Sequence, residues 1–394
     1  MTPARDHRAI VLRAWWPRLL FLVIAHAAPL AAQEDDPVVI DHANVIRRVE
    51  EGDSLTYFLE GNVRAHRGPV RMRSQLATIY RQSGIADFQR NVRFWDQTTE
   101  IFADQVVYEE LTNVAVATGN VQMIDRDSGS QVVADTVHYF RDEKLIIARP
   151  RPHGTLLGSD STAQSDPFDV YADEMRFRSD SVGSTVVAVR RVLIERTDLT
   201  ALADSLIYDD ALETVALRIS PQVETKETFL NADRIDIHMT ESEIESLVAV
   251  EGARTIDKTD SIPDLVPAAF EHVSQTSYLE GDSIYIAFED GGIDWLVAQG
   301  GARSLNYTRE SPPGTIETWS VNYLLGERLR LNFRGDTLDQ VMASGGHRGL
   351  YRSEDVRVGG VERRPSEPIP LPDLSATVGL IQATRRRSED RRRG

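Results

Sequence analysis

The residues of this sequence that could carry out chemistry are aspartates that recur along most of the chain. Most of them stand about 30 residues apart, and they are Asp104, Asp135, Asp173, Asp204, Asp233 and Asp282. In a regular stack their carboxylates would form a column, and acidic clusters bind metal ions or act as general acids and bases. Aspartate also hydrogen-bonds nearby backbone amides at turns and strand ends. Because it recurs in nearly every unit, we interpret it as a scaffold element, with a β-helical polysaccharide-active enzyme as the alternative.

Other signatures of chemistry are missing from the sequence. It contains no cysteine, so neither a disulfide nor a thiolate metal site is available. The nine histidines are scattered, and no His-Glu-x-x-His motif, P-loop, dinucleotide fingerprint or Gly-x-Ser-x-Gly motif occurs. We therefore predict no catalytic residue, no metal site and no cofactor.

Phrases with a strand-like pattern surround the aspartates. They are "SQLATI" (74–79), "ADQVVY" (103–108), "ADTVHY" (134–139), "ADEMRF" (172–177), "ADSLIY" (203–208), "ADRIDI" (232–237), "GDSIYI" (281–286) and "GERLRL" (326–331). The residues two and four places after the aspartate position are mostly large and apolar, and those between them are usually polar. This alternation predicts strands with one face inside, whereas a helix would need apolar residues three and four places apart.

A second strand follows each phrase after a short polar turn such as "EELTN" or "DDALE". Several of these returning strands contain Gly-Asn or Gly-Gly, as in "EGNV", "TGNV", "QGGA" and "SGGH". Glycine, and less readily asparagine, adopts positive φ, so these pairs predict a bend at the same height in neighbouring strands. Bent hairpins stacked in register would form an all-β, two-walled sheet with a continuous apolar interior.

The apolar positions of these hairpins are the candidates for lining the interior. They are Leu59, Ala77, Ile79, Phe88, Val106, Tyr108, Ala117, Val137, Tyr139, Met175, Phe177, Leu206 and Tyr208. Each of them equally suits the protein's own core, so their pattern alone leaves both a lipid-lining and a purely structural role open.

Composition divides the chain into repeats, insertions and termini. The predicted boundaries are a signal peptide at 1–33, repeats at 34–148, an insertion at 149–169, repeats at 170–256, an insertion at 257–278, repeats at 279–358 and a flexible Pro- and Arg-containing tail at 359–394. The insertions contain Pro and Ser and interrupt the spacing of the repeats. They are interpreted as loops at one rim of the sheet or as boundaries between separate stacks.

The first residues and the charge balance predict an exported protein that does not bind nucleic acid. Four arginines precede the apolar run Leu19–Ala32, which is shorter than a bilayer span of about 20 residues. Removing residues 1–33 leaves 40 basic and 60 acidic residues, a net charge of −20. Binding to a phosphate backbone relies on clustered Lys and Arg, so nucleic acid is not an expected partner.

The combination of these phrases resembles a known family. "LEGNVRAHRGPVRMRSQLATIY", "GIADFQRNVRFWDQTTEIFADQVVYEELTNVAVATGNVQM" and "VVADTVHYF" are similar to the OstA-like, LptA-type lipopolysaccharide-transport proteins, over residues 52–145. The resemblance implies an elongated β-jellyroll of stacked, V-shaped antiparallel strands. It also implies a periplasmic protein that shelters lipid acyl chains on their way to the outer membrane.

Three functions follow as expectations. The first is a non-enzymatic carrier or bridge for lipopolysaccharide or a related glycolipid, which pairs through its edge strands with other transport proteins and associates with the outer membrane. The second is a structural or adhesive module that self-associates end to end through the same edges. The third is the polysaccharide-active enzyme. We expect the sheet to end near 53–64 on one side and near 326–351 on the other.

Overall fold

The structure is a computed structural model that describes residues 37–157, 167–179, 183–225, 228–240, 243–258, 277–289, 291–310, 318–335 and 337–353. All of these residues belong to one unit, which begins at Pro37. Every helix or strand in the described ranges is a β-strand, which confirms the all-β prediction. A helix with the length and apolarity to cross a membrane is not found in these ranges. The predicted signal peptide and the predicted tail lie outside them.

The strands fall in chain order as follows. The first twelve are β1 (Val39–His42), β2 (Val45–Glu51), β3 (Ser54–Arg67), β4 (Val70–Tyr80), β5 (Ile85–Trp95), β6 (Thr99–Glu109), β7 (Val114–Asp125), β8 (Gln131–Phe140), β9 (Leu145–Arg149), β10 (His153–Leu156), β11 (Phe168–Tyr171) and β12 (Glu174–Ser179). The other twelve are β13 (Ser184–Glu195), β14 (Leu199–Asp209), β15 (Thr214–Arg218), β16 (Gln222–Thr225), β17 (Thr228–Asn231), β18 (Arg234–Thr240), β19 (Glu243–Asp257), β20 (Tyr278–Glu289), β21 (Gly292–Glu310), β22 (Thr318–Arg334), β23 (Thr337–Ser344) and β24 (Arg348–Ser353).

Antiparallel pairing arranges the strands in two walls, and most long strands contribute one half to each. The first wall contains 45–51, 54–60, 76–80, 85–89, 105–109, 114–118, 136–140, 145–149, 174–179, 184–189, 205–209, 214–218, 234–240, 243–250, 283–289, 292–299, 328–334 and 337–344. The second wall contains 39–42, 63–67, 70–74, 92–95, 99–103, 121–125, 131–134, 153–156, 168–171, 192–195, 199–203, 222–225, 228–231, 253–257, 278–281, 302–310, 318–326 and 348–353.

A bend separates the two halves of each long strand, as the Gly-Asn pairs predicted. Gly119 and Asn120 in β7 have φ values of 77° and 46°, and the ladder between β6 and β7 shifts register there. The same bend occurs in strands without glycine, for example at Arg190 and Arg191 in β13, with φ values of 63° and 52°. A side chain at positive φ is strained, so neighbouring strands must hold these arginines in place.

The bend folds each strand back so that the two walls face each other. Phe94 lies beside Ile101 in the second wall, and Tyr108 is seven residues further along β6, a distance of about 23 Å in a straight strand. The ring centroids of Phe94 and Tyr108 are nevertheless only 5.7 Å apart. The two walls therefore enclose a common interior, which is the β-jellyroll arrangement expected from the sequence.

Hydrogen bonding joins the strands on either side of each predicted insertion. β10 pairs with β11 and β9 pairs with β12, and β19 pairs with β20. The predicted insertion at 149–169 is therefore partly wrong, because His153–Leu156 and Phe168–Tyr171 within or beside it are strands of the second wall. The alternation there was hidden by the prolines at 150 and 152, which lie at the bend rather than in a loop.

Turns lie along two rims, one for each wall. The connections from 157 to 167, from 258 to 277 and from 310 to 318 all leave and re-enter the second wall, so they share one rim. The rim of the first wall carries short turns, such as 110–113 and 141–144.

The interior contains two hydrophobic clusters rather than one. The first cluster is formed by buried residues between Val38 and Ala148, and the second by buried residues between Leu156 and Leu331. Phe177 is half-buried and packs against both clusters. Backbone hydrogen bonding between strands is thus continuous at the place where the buried side chains change from the first cluster to the second.

Candidate functional site

The thirteen predicted lining residues all lie in the first wall, on its inner face. Twelve of them are buried, with relative exposures of 8% or less, and Phe177 is half-buried. The nine from Leu59 to Tyr139 belong to the first cluster, whereas Met175, Leu206 and Tyr208 belong to the second. Their side chains pack against other side chains of the chain itself. A guest between the walls would therefore have to separate them.

The inner face of the second wall is absent from the predicted lining residues. It contributes equally buried residues, including Val63, Met72, Phe94, Ile101 and Met123. The predicted lining positions follow the alternation on only one side of each bend. The signal was present, because alternation resumes after the bend in "NVRFW", where Val92 and Phe94 are inside.

The recurring aspartates lie beside the bends, where they act as scaffold elements. Asp104 is in the middle of β6, not at its start as the sequence suggested, and its Oδ2 accepts a hydrogen bond of 2.9 Å from Asn120 Nδ2. A Cβ on Gly119 would lie 2.6 Å from the same oxygen. The backbone N–H of Asp173 donates to the bend carbonyl of Arg190 at 3.1 Å.

The aspartate column has no metal-binding geometry in the part of the chain that the structure describes. No group of three or more His, Asp or Glu side chains there is placed to hold a metal ion. At the bend of β13, which carries arginine instead of glycine, Asp173 forms an ion pair with Arg191. Asp104 and Asp173 thus make separate contacts, each at its own bend.

A polar network connects the two rims along the first cluster. Arg67, at the end of the second-wall half of β3, donates to the hydroxyl of Tyr108 in the first wall at 2.8 Å. The Tyr108 hydroxyl donates to Oδ1 of Asn113 at 2.5 Å, and Arg141 donates to the same oxygen at 2.7 Å.

The second half of this rim network is centred on Asp96, in the turn between β5 and β6. Its Oδ2 accepts hydrogen bonds from Arg141 Nε at 3.3 Å and from the Tyr139 hydroxyl at 3.0 Å. The side chains of Arg141 and Asp96 are only 15% and 7% exposed. Burial, with the Asp96 carboxylate nearby, raises the pKa of Tyr139 to about 12, so this hydroxyl remains a donor at neutral pH. The network closes the mouth between the rims over the first cluster.

A cavity of about 80 Å³ opens where the network ends and the two clusters meet. We call it the seam cavity. Its apolar lining includes Met123, Val132, Ile146, Leu156, Phe177 and Val186. Polar residues at or beside the strand ends of both rims also line it, including Ser130, Lys144, Arg178 and Ser184.

Within the described ranges, the strands at the ends of the sheet have an unpaired edge. On the N-terminal side, β1 and β2 extend the sheet beyond the end predicted at 53–64, and β3 is the one described strand with which they pair. Val45 and Ile46 on β2 are 55% and 52% exposed. The sequence missed this strand because its side chains are mostly exposed and show no inside face. On the other side, β23 and β24 end the described sheet within the predicted range.

Bent strands, two facing walls and an enclosed apolar interior define this chain as an antiparallel β-jellyroll. Residues 35–165 match the family model described as OstA-like protein, so this part of the chain is an OstA-like domain. The match confirms the family resemblance seen over residues 52–145.

Among the solved structures that match is the crystal structure of LptH from Pseudomonas aeruginosa, described as the LptA homologous periplasmic component of the conserved lipopolysaccharide transport device. The sequence identity is 13%, and the match covers 37% of this chain and 80% of LptH. The TM-score is 0.19. No curated protein matches the chain.

Proposed function

We propose that this chain is a non-enzymatic periplasmic carrier or bridge that holds the acyl chains of lipopolysaccharide, or of a related glycolipid, between its two walls. The observation that carries the proposal is the apolar interior, which both walls line from Val38 to Leu331. The OstA-like domain at 35–165 supports it. Export through the predicted signal peptide and association with the outer membrane belong to the same proposal.

The energetics of lipid transfer explain why such an interior would be needed. Exposing one methylene to water costs about 0.8 kcal/mol, so a chain of a dozen carbons costs on the order of 10 kcal/mol. An apolar passage offsets that cost without catalysis. Because the interior is filled, a guest must replace contacts such as that between Phe94 and Tyr108. Separation should cost least at the ends of the sheet, where a wall has a neighbouring strand on one side only.

A second candidate function is a structural module that assembles end to end, either with itself or with other transport proteins. The exposed Val45 and Ile46 on the edge strand β2 favour it, because an apolar edge promotes strand addition. Assembly and lipid carriage use different parts of the molecule, so both can hold.

Site-specific photocrosslinking in cells tests the carrier proposal. Crosslinkers at Phe88, Tyr108 and Tyr139 point into the interior and should capture lipopolysaccharide or another lipid. The matched positions Gln105 and Thr136 lie on the same strands but outside the hydrophobic clusters, and they should capture none. Lipid captured only at the outer positions, or at no position, would contradict the proposal.

A further inference from the structure

We propose that the seam cavity binds the alkyl chain of an amphiphile with an anionic headgroup, and that Lys144 and Arg178 hold the headgroup at its mouth. This inference deepens the proposed function, since it gives one place where a lipid chain enters between the walls. It concerns the junction of the two clusters, which lies at the C-terminal end of the OstA-like domain.

The interior of the cavity suits an aliphatic chain. Its volume of about 80 Å³ exceeds the ~10–15 Å³ that one water molecule requires. Apolar side chains from both clusters surround it, and an apolar cavity stays dry or takes apolar ligands. Phe177 is half-buried between the clusters, so a shift of its ring would widen the space without removing a fully buried contact.

The mouth is open at this place because the rim network stops before it. Arg141 is the last member of the network, and the turn at 141–144 is followed by β9. Beyond it, the rims present small hydroxyl residues such as Ser130, Ser179 and Ser184. These side chains are too short to make the contacts that Arg67 and Arg141 make over the first cluster.

The charges at the mouth favour an anionic headgroup. Lys144 and Arg178 are exposed, and neither forms an ion pair with a carboxylate of the described residues. The nearby carboxylates already have donors. Asp125 accepts the backbone N–H groups of residues 127 and 128, and Asp210 accepts the Tyr208 hydroxyl at 2.9 Å. Both carboxylates keep their charge, but they are held by these hydrogen bonds, whereas Lys144 and Arg178 are available to bind a phosphate or carboxylate.

Calorimetric titration of the purified full chain tests this site with dodecyl phosphate as the probe. Dodecyl maltoside and dodecyltrimethylammonium have the same alkyl chain with a neutral or a cationic headgroup, and all three are used below their micelle concentrations. We expect dodecyl phosphate to bind best. The double substitution Lys144→Gln, Arg178→Gln should weaken its binding about tenfold, because two exposed ion pairs are lost. The affinity for dodecyl maltoside should not change.

Two tryptophan variants serve as a matched pair. Ser184→Trp places a large ring at the mouth and should abolish binding, whereas Thr214→Trp, at the same place in the next hairpin of the first wall, should not affect it. Equal binding by both variants, or tighter binding of the cationic probe, would overturn the proposal. If purified lipopolysaccharide displaces dodecyl phosphate, the alkyl chain that the seam cavity binds belongs to the glycolipid. If lipopolysaccharide does not displace it, the cavity binds a single-chain lipid.

The outcome is separable from that of the carrier proposal. A lipid captured at Phe88 in cells without binding of dodecyl phosphate to the purified chain would refute the seam site and leave carriage intact. Binding at the seam without any lipid captured at Phe88 would retain the site and refute carriage through the first cluster.

Discussion

At the bends, a side chain on one strand restricts which residue type can occupy the facing position of the neighbouring strand. Asp104 and Gly119 are distant in sequence, and the pairing of β6 with β7 brings them together. The sequence alone predicted the bend at Gly-Asn, because positive φ favours these residues. It did not predict that the aspartate fills the space that a Cβ on the glycine would need, since this depends on the register between strands. The two recurring motifs are thus two sides of one contact.

Substitution of a bend glycine tests that contact. Gly119→Ala should lower the thermal midpoint more than Gly252→Ala does. Both glycines have positive φ, but a Cβ at 119 would lie 2.6 Å from Asp104 Oδ2, whereas a Cβ at 252 would have nothing within 4 Å. Strain at positive φ alone costs about 1–2 kcal/mol, and the overlap adds to it. Asp104→Ala should restore part of the loss in Gly119→Ala, and equal losses at the two glycines would contradict the explanation.

At the level of elements, a strand of this fold belongs to two walls, and this limited what the sequence could reveal. Apolar alternation identified the first-wall halves, including Val106 and Tyr108, because they follow an obvious aspartate. The second-wall halves, such as that with Phe94, were overlooked because the bend interrupts the alternation. The rim network could not be predicted either, since Arg67, Asp96 and Arg141 come from different turns and meet only when the walls face each other.

A double-mutant cycle tests whether the network holds the walls together. Arg141→Met and Asp96→Asn should each lower the free energy of unfolding by about 3 kcal/mol, because each leaves a buried charge without its partner. The double variant should lose about 1–2 kcal/mol less than the sum of the two. Urea denaturation measures all three variants.

The control for this cycle is the ion pair between Arg234 and Glu251, which is shorter, at 2.7 Å, but has side chains that are 49% and 60% exposed. Its coupling should be below about 1 kcal/mol. If the coupling of Arg141 with Asp96 is no larger than that of the exposed pair, the network does not hold the rims.

At the level of the whole molecule, backbone pairing and apolar packing divide the chain differently. The sheet is continuous across the insertion at 149–169, whereas the buried side chains fall into two clusters, and Phe177 packs against both of them. The sequence predicted either a continuous stack or separate stacks. Strand pairing is that of a continuous stack, whereas side-chain packing is that of two separate units. The spacing of the repeats therefore could not decide between the two alternatives.

Hydrogen exchange measures whether the clusters unfold as separate units. Phe88→Ala removes a fully buried side chain from the first cluster, at a cost of about 3–5 kcal/mol. It should reduce amide protection between residues 38 and 148 much more than between 168 and 331. Leu217→Ala, in the second cluster, should have the opposite pattern. An equal loss of protection on both sides of the seam, from either variant, would indicate a single cooperative unit.

The placement of three longer connections on one rim gives the molecule a fixed sidedness. Six strand spacings of the second wall separate the connection after Leu157 from the one after Lys258, which is about 29 Å at 4.8 Å per strand. Fluorophores attached at these two residues would therefore emerge on the same flank, at known heights. The distance between the two fluorophores would measure length along the stack of strands. The opposite flank would remain free for contact with another surface.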